Sequence, residues 1–125
     1  MNEISKNNKK TSQRVGKFKE KYPHFRRYKQ KEGGITKKAR HPKLIMAKNN
    51  DNFEFIGLTE SAKRGHHKNI ALSKNPERNN TNPSYLRDEL RELPTSRFSE
   101  PLKNYKITAK DEKVAWSVYH KNKKK

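Results

Sequence analysis

The chain is 125 residues long, with 32 Lys/Arg against 13 Asp/Glu, a formal net charge of +19 and only 28% hydrophobic residues. That length allows one domain, and the low apolar content excludes a core fed by the whole chain, so a small folded module with basic ends is expected. Cysteine is absent, which excludes disulfides, thiol nucleophiles and thiolate metal sites.

The charge is uneven. Residues 1–48 hold 16 Lys/Arg and 3 Asp/Glu, whereas residues 49–125 hold 16 and 10. The front of the chain is a cationic arm and the remainder is mildly basic. A field of this sign draws polyanions, and counterion release would drive binding to nucleic acid. No apolar run approaches the roughly 18 residues of a membrane span. The opening MNEISKNNKK lacks the apolar segment of a signal peptide. A cytoplasmic location and no membrane partner are therefore expected.

Phe18, Tyr22, Phe25 and Tyr28 fall at helical spacing, so Gly16 to Tyr28 reads as a short basic amphipathic helix interrupted by Pro23. The same aromatics suit two alternatives: an arm that orders on binding, with bases stacked on the rings, or rings packed onto the folded module. Glu32-Gly33-Gly34 is a flexible break that divides an arm, residues 1–32, from a domain, residues 33–120, and residues 121–125 form a basic tail. Pro42 best begins a strand, Lys43 to Lys48, that buries Leu44, Ile45 and Met46. Asn49 to Asn52 is a turn by composition, and Phe53 to Thr59 follows as the second strand of a hairpin with a four-residue loop. Gly57 inside that strand suggests a bulge or a close backbone approach.

Glu60 to Lys68 reads as a polar loop with Gly65 at its tip, and Asn69 to Ser73 as a third strand with Ile70 and Leu72 on one face. Lys74 to Pro83 is a loop. Tyr85, Leu86, Leu90 and Leu93 form either two strand halves bent by a bulge or one helical turn. Residues 95–106 are irregular. Thr108 is an N-cap with Asp111 three residues on, close to a capping box. Val114, Val118, Ala115 and Tyr119 make the apolar face of a terminal helix, and Trp116 points elsewhere. The expected class is α+β, mainly β: a small barrel or sandwich with a C-terminal helix and a basic, partly disordered N-terminal arm.

No phosphate-binding glycine loop is present, the acidic residues do not cluster for two metals, and His66-His67 lacks metal-ligand spacing. Arg, Lys, Thr, Ser and His around short strands are enough for RNA cleavage without a metal or other cofactor. There the ribose 2′-OH is the nucleophile, and the protein must move protons and stabilise a phosphorane.

The stretch RHPKLIMAKNNDNFEFIGLTES resembles the signature of MazF/PemK-like toxin endoribonucleases: Arg-Pro, apolar strand, turn, apolar strand, then Thr-Ser or Thr-Gly. NIALS is similar to the next strand, LRELPTSRF to a later Arg-rich stretch, and KITAKDEKVAWSVYH to the terminal helix, so the resemblance covers roughly residues 33 to 120. It implies an SH3-like barrel that usually dimerises and cuts single-stranded RNA without metal to leave a 2′,3′-cyclic phosphate. It also implies an acidic antitoxin protein as partner.

The family's catalytic pair is the Arg before Pro and the Thr that ends the second strand. Thr59 matches the latter, and Ser61 is a further hydroxyl on that loop. His41 stands directly before Pro42, with Arg40 one residue back, so either Arg40 reaches in or His41 supplies the acid and base. Pro94 stands where the family has Asp, and FRRYKQKE stands where it has an apolar opening strand. Lys37, Lys38, Lys63, Arg64, His66, His67 and Lys68 are candidates for guiding RNA. Arg91 and Arg97 either bind phosphate or pair with surface carboxylates. The alternative readings are a non-catalytic nucleic-acid-binding module of a bacterial mobile element, and a basic protein that docks on an acidic protein.

Overall fold

The computed structural model describes residues 21–29 and 41–124. Its elements are β1 (His24–Arg26), β2 (Lys43–Asn49), β3 (Asn52–Thr59), β4 (Lys63–Arg64), β5 (His67–Lys68), β6 (Ile70–Ala71), β7 (Tyr85–Leu86) and β8 (Arg91–Pro94). A 3-10 turn over Thr95–Arg97 and one helix, α1 (Ala109–Lys123), complete them. The chain is α+β and mainly β. The glycine pair at 33–34 lies outside the described residues.

The β2–β3 hairpin is the centre. Leu44 and Met46 of β2, with Ile56 and Leu58 of β3, face one side and join Phe25, Leu86, Ala115 and Val118 in a core under α1. The alternate residues Ile45, Phe53 and Phe55 face the other side and pack with Phe98. A period of two thus buries both faces of the hairpin, which is why so polar a chain concentrates its apolar residues here. The loop is tighter than its composition suggests. Asn49 and Asn52 are paired, leaving a two-residue turn at Asn50-Asp51, with Asn50 at φ 56, a left-handed conformation that Asn tolerates.

Gly57 carries no bulge. The register instead slips between Ile45 and Ala47, so the extra residue is Met46 on β2. Gly57 accommodates a side chain: a Cβ there would sit 3.5 Å from Cδ of Arg87.

The helix expected over Gly16 to Tyr28 is not what the described part forms. His24–Arg26 is extended and pairs antiparallel with β2, with Phe25 opposite Leu44. Phe25 is 2% exposed in the core, and Tyr22 and Tyr28 pack against the opposite cluster. Strand pairing and burial of the rings on two faces outweigh the local helical spacing. The strands therefore begin ahead of the glycine pair.

β3 serves two partners on its far edge. Asn52 to Phe55 pair with β8, and Leu58 and Thr59 pair with β7. The stretch 85–94 is thus two strand halves, joined across Arg87 N–H to Gly57 carbonyl at 2.9 Å. β6 continues the sheet beyond β7 and is shorter than the Asn69 to Ser73 segment expected. The polar loop around Gly65 is itself a hairpin, with β4 paired to β5 and Gly65 at φ 60 in its turn. After the 3-10 turn the chain reaches the outer edge of β1. Lys29 N–H donates to Arg97 carbonyl (2.9 Å), Ser99 N–H to Arg27 carbonyl (2.7 Å) and Leu102 N–H to Phe25 carbonyl (2.8 Å).

Thr108 caps α1, its hydroxyl accepting from Asp111 N–H at 3.1 Å. The reciprocal half of a capping box is replaced by a longer-range contact. Asp111 is 2% exposed and its carboxylate accepts from Ser73 N–H at 2.9 and 3.0 Å, pinning the helix start to the end of the β6 segment. Trp116 packs at the margin of the core and stacks on His120, and its indole N–H donates to Glu112.

The far end of α1 is held by Glu54, a carboxylate 4% exposed that accepts from Tyr119 Oη at 2.7 Å and pairs with Lys123. Burial pushes the Glu54 carboxyl up, but the hydrogen bonds from Lys123 and Tyr119 outweigh it and leave it below the ordinary carboxylate value. A carboxyl lowered in the folded state stabilises the fold above its unfolded pKa of about 4.3, and that contribution is lost as pH falls through the folded value. Urea unfolding from about pH 6 to about pH 3 should show falling stability, and the fall should be smaller in Glu54→Gln. An equal fall in both proteins would mean the contact is not the cause. Among the described residues no helix is long and apolar enough to cross a membrane.

Candidate active site and cationic groove

The register of the hairpin builds the site. Lys43 lies opposite Gly57, and Leu58 N–H donates to Pro42 carbonyl at 3.3 Å, so the residues before β2 run beside the end of β3. His41 and Thr59 thereby line one cleft of about 200 Å³ with Arg27, Glu77, Ser84 and Tyr105. Each comes from a different place in the chain. Arg27 follows β1 and is fixed by its backbone, whose N–H donates to Ser99 Oγ at 3.1 Å. Glu77 sits in the Asn-rich loop 74–83, where Asn side chains stand in for secondary structure. Asn75 Oδ1 accepts from Glu77 N–H, and Asn80 Nδ2 donates to Glu77 Oε1, both at 2.9 Å. Tyr105 is bridged to Glu77 in antiparallel fashion.

Arg27 donates from Nη2 to Tyr105 Oη at 2.9 Å and stacks its guanidinium 5.4 Å from that ring's centre. The Tyr105 phenol is raised above its ordinary value, chiefly by burial, with the Glu77 carboxylate adding to it and Arg27 opposing. Near neutral pH it therefore keeps its proton, which the Glu77 carboxylate accepts in a hydrogen bond. Thr59 is 7% exposed, and its Oγ1 accepts from Ser61 N–H at 3.2 Å, which leaves the hydroxyl hydrogen to point elsewhere. An arginine, an imidazole, two carboxylates (Glu60 and Glu77), a phenol and two hydroxyls in one cleft can move protons, and the arginine with the hydroxyl donors can hold a phosphate.

A second depression meets the cleft at His41 and Leu58. Its walls include Lys43, Arg64, Arg87 and Arg91 against Glu89, with Phe55 at its base. It continues through Arg64 and Arg87 to His66, His67 and Lys68. Arg91 stands 5.7 Å from the Phe55 ring centre, and Lys43 Nζ stands 4.5 Å over Tyr28.

His41 and Thr59 are brought together as the sequence suggested. Ser61 is exposed and is not part of the cleft wall; its carbonyl accepts from Asn69 Nδ2. Arg64, His66, His67, Lys68 and Arg91 line the groove. Lys63 is exposed opposite Lys68 in the small hairpin. Arg97 lies 6.0 Å from the Tyr28 ring and does not line the groove. Arg40, Lys37 and Lys38 lie outside the described residues. Among the described residues no three His, Asp or Glu side chains converge as a metal would require.

Arg27, Glu77, Tyr105 and Arg87 were not singled out by the sequence. Arg27 had one available signal, its place two residues after the aromatic Phe25. Glu77 and Tyr105 had none, because their meeting is made by contacts across the fold. No family model matches the chain, and no curated protein and no solved structure does either.

Proposed function

We propose that the protein is an RNA-binding, metal-independent endoribonuclease of the MazF/PemK-like kind, acting on single-stranded RNA. The observation that carries it is one cleft holding Arg27, His41 and Thr59 at the mouth of a cationic groove. In this reading the ribose 2′-OH attacks the adjacent phosphorus, and His41 takes its proton. Arg27 and the Thr59 hydroxyl donate to the non-bridging oxygens as charge builds on the phosphorane. The 5′-oxygen leaves with a proton supplied by a cleft acid, a role this reading gives to the Tyr105 phenol once its hydrogen turns from Glu77, and the product is a 2′,3′-cyclic phosphate.

Arg27 takes the cationic role in this reading, which the sequence alone assigned to Arg40 or His41. The fold of the proposal is an SH3-like barrel. It is supported by the path of the sheet, since β8 pairs with β3 and the chain just after it bonds to β1, drawing the two ends of the sheet toward each other.

The test is cleavage of a mixed RNA in EDTA with end-group analysis, wild type against Thr59→Ala. The expected result is cyclic-phosphate ends from the wild type and a loss of about a hundredfold in rate for the variant, the size typical of one transition-state donor. Equal rates, or no cleavage by either protein, would remove the catalytic assignment. The second reading, a non-catalytic RNA-binding module, is favoured by the near-complete burial of Thr59 at a paired strand end, and it predicts salt-sensitive binding without cleavage.

A further inference from the structure

On the side of the cleft away from the cationic groove lies another depression, of about 610 Å³, between residues 74–79 and 103–109. The two share Asn75, Pro76, Glu77 and Tyr105 among their lining residues, so they adjoin each other across the Glu77–Tyr105 bridge. Four exposed cations line it, Lys74, Arg78, Lys103 and Lys106, and Glu77 is the single acid among its lining residues. That acid is engaged by Asn80 Nδ2.

The walls are stitched together by the backbone. Arg78 N–H donates to Asn104 carbonyl at 2.8 Å and Lys106 N–H to Pro76 carbonyl at 2.9 Å. The cations therefore project from a fixed frame, so less freedom is lost when they engage a ligand. Thr108 and Ala109 put the start of α1 on the same wall, where Asp111 and Glu112 in the first turn offset the positive end of the helix dipole, so the charge of the track comes from its four side chains.

We infer that this depression is a second phosphate-binding track, taking the backbone of a single nucleic-acid strand as it leaves the cleft on the side opposite the Arg64–Arg91 groove. The inference rests on the cleft being where that strand is worked on. That reading acts on single-stranded RNA, so the track is assigned to the same single strand. Four like charges on a rigid frame suit a chain of regularly spaced phosphates better than a single small anion, which would leave most of them unpaired. Half-buried Ile107 gives the track a little apolar surface beside its charges.

The test uses the full chain and a fluorescein-labelled 2′-O-methyl RNA of about 12 nucleotides, within the span such grooves cover. It has no 2′-OH and cannot be cut, so binding is read independently of catalysis. One variant carries Lys74→Ala, Arg78→Ala, Lys103→Ala and Lys106→Ala. The reference variant carries Lys48→Ala, Lys113→Ala, Lys121→Ala and Lys124→Ala, which removes the same charge from exposed positions outside the track. All eight substitutions keep the backbone bonds, and thermal melts confirm folding.

The track variant should bind at least about tenfold more weakly at low salt, and its slope of log affinity against log salt should fall by about 3, the value for four phosphate contacts on a single strand. The reference variant should lose far less of both. Equal losses in the two variants, unchanged affinity in the track variant, or no binding by the wild type would each overturn the inference. Loss confined to the track variant supports it even where the wild type fails to cleave native RNA, a result that removes only the catalytic reading.

Discussion

Phe98→Ala should lower the unfolding free energy by about 3–5 kcal/mol, the range for emptying a buried aromatic site. Phe98 is 3% exposed and makes edge contacts with Tyr28, Phe53 and Phe55 at ring-centre distances of 5.2 to 5.5 Å. Such pairs add to the burial itself. The residue also sits where the chain, having left β8, turns onto β1, so its ring anchors three backbone bonds between segments about 70 residues apart.

Domains of this size have total stabilities of about 5–15 kcal/mol, and a chain with so little apolar surface lies toward the lower part of that range. The variant should therefore melt far below the wild type. Urea unfolding followed by tyrosine and tryptophan fluorescence measures it. Phe98→Leu, which keeps most of the volume, should recover much of the loss. A loss under about 1 kcal/mol in Phe98→Ala would show that the second cluster is not a true core.

In the proposed endoribonuclease reading, Arg27→Ala should cut RNA cleavage by about 10²–10³ in kcat with little change in stability. The reasoning starts from what holds Arg27. Its backbone N–H and carbonyl both bond to Ser99, and any residue makes those bonds. The side chain touches Tyr105 at the cleft wall, at the margin of the core under α1. Its removal therefore takes away charge and donors from the cleft and little packing.

Arg27→Lys should retain part of the rate, because an ammonium supplies charge without the fork that grips two phosphate oxygens. Tyr105→Phe distinguishes two roles. If the phenol only orients Arg27, the pH profile keeps its shape and kcat falls modestly. If it donates the proton to the leaving oxygen, kcat falls steeply. Full activity in Arg27→Ala would return the cationic role to residues outside this cleft.

Several features were legible because their physics is local. The alternation in LIM and FEFIGL is the signal of a hairpin buried on both faces, and Asn50 marks its turn. Thr108 is read as a cap from its hydroxyl and its place before an i, i+4 apolar pattern. The pairing of His41 with Thr59 follows from a hairpin in register. Other features had a misleading local signal. The spacing of Phe18, Tyr22, Phe25 and Tyr28 reads as helical, yet Phe25 enters one core and Tyr28 the other, which only an extended strand between two layers permits. The glycine in β3 reads as a bulge, yet the slip falls at Met46, where the opposite strand must bend to serve two partners.

By itself the sequence determined the charge and its uneven placement, the hairpin at the centre, the terminal helix and the hydroxyl at the end of β3. These depend on composition and on contacts between near neighbours, which periodicity records directly. Only the tertiary structure decided which cation shares a cleft with Thr59, that Glu77 and Tyr105 complete its wall, and that grooves open on both sides of it. Arg27 reaches Tyr105 across 78 residues of chain. The free energy that holds such a pair together comes from the burial of Phe25, Phe98 and their neighbours in two cores, and no short stretch of sequence records where those cores bring distant residues together.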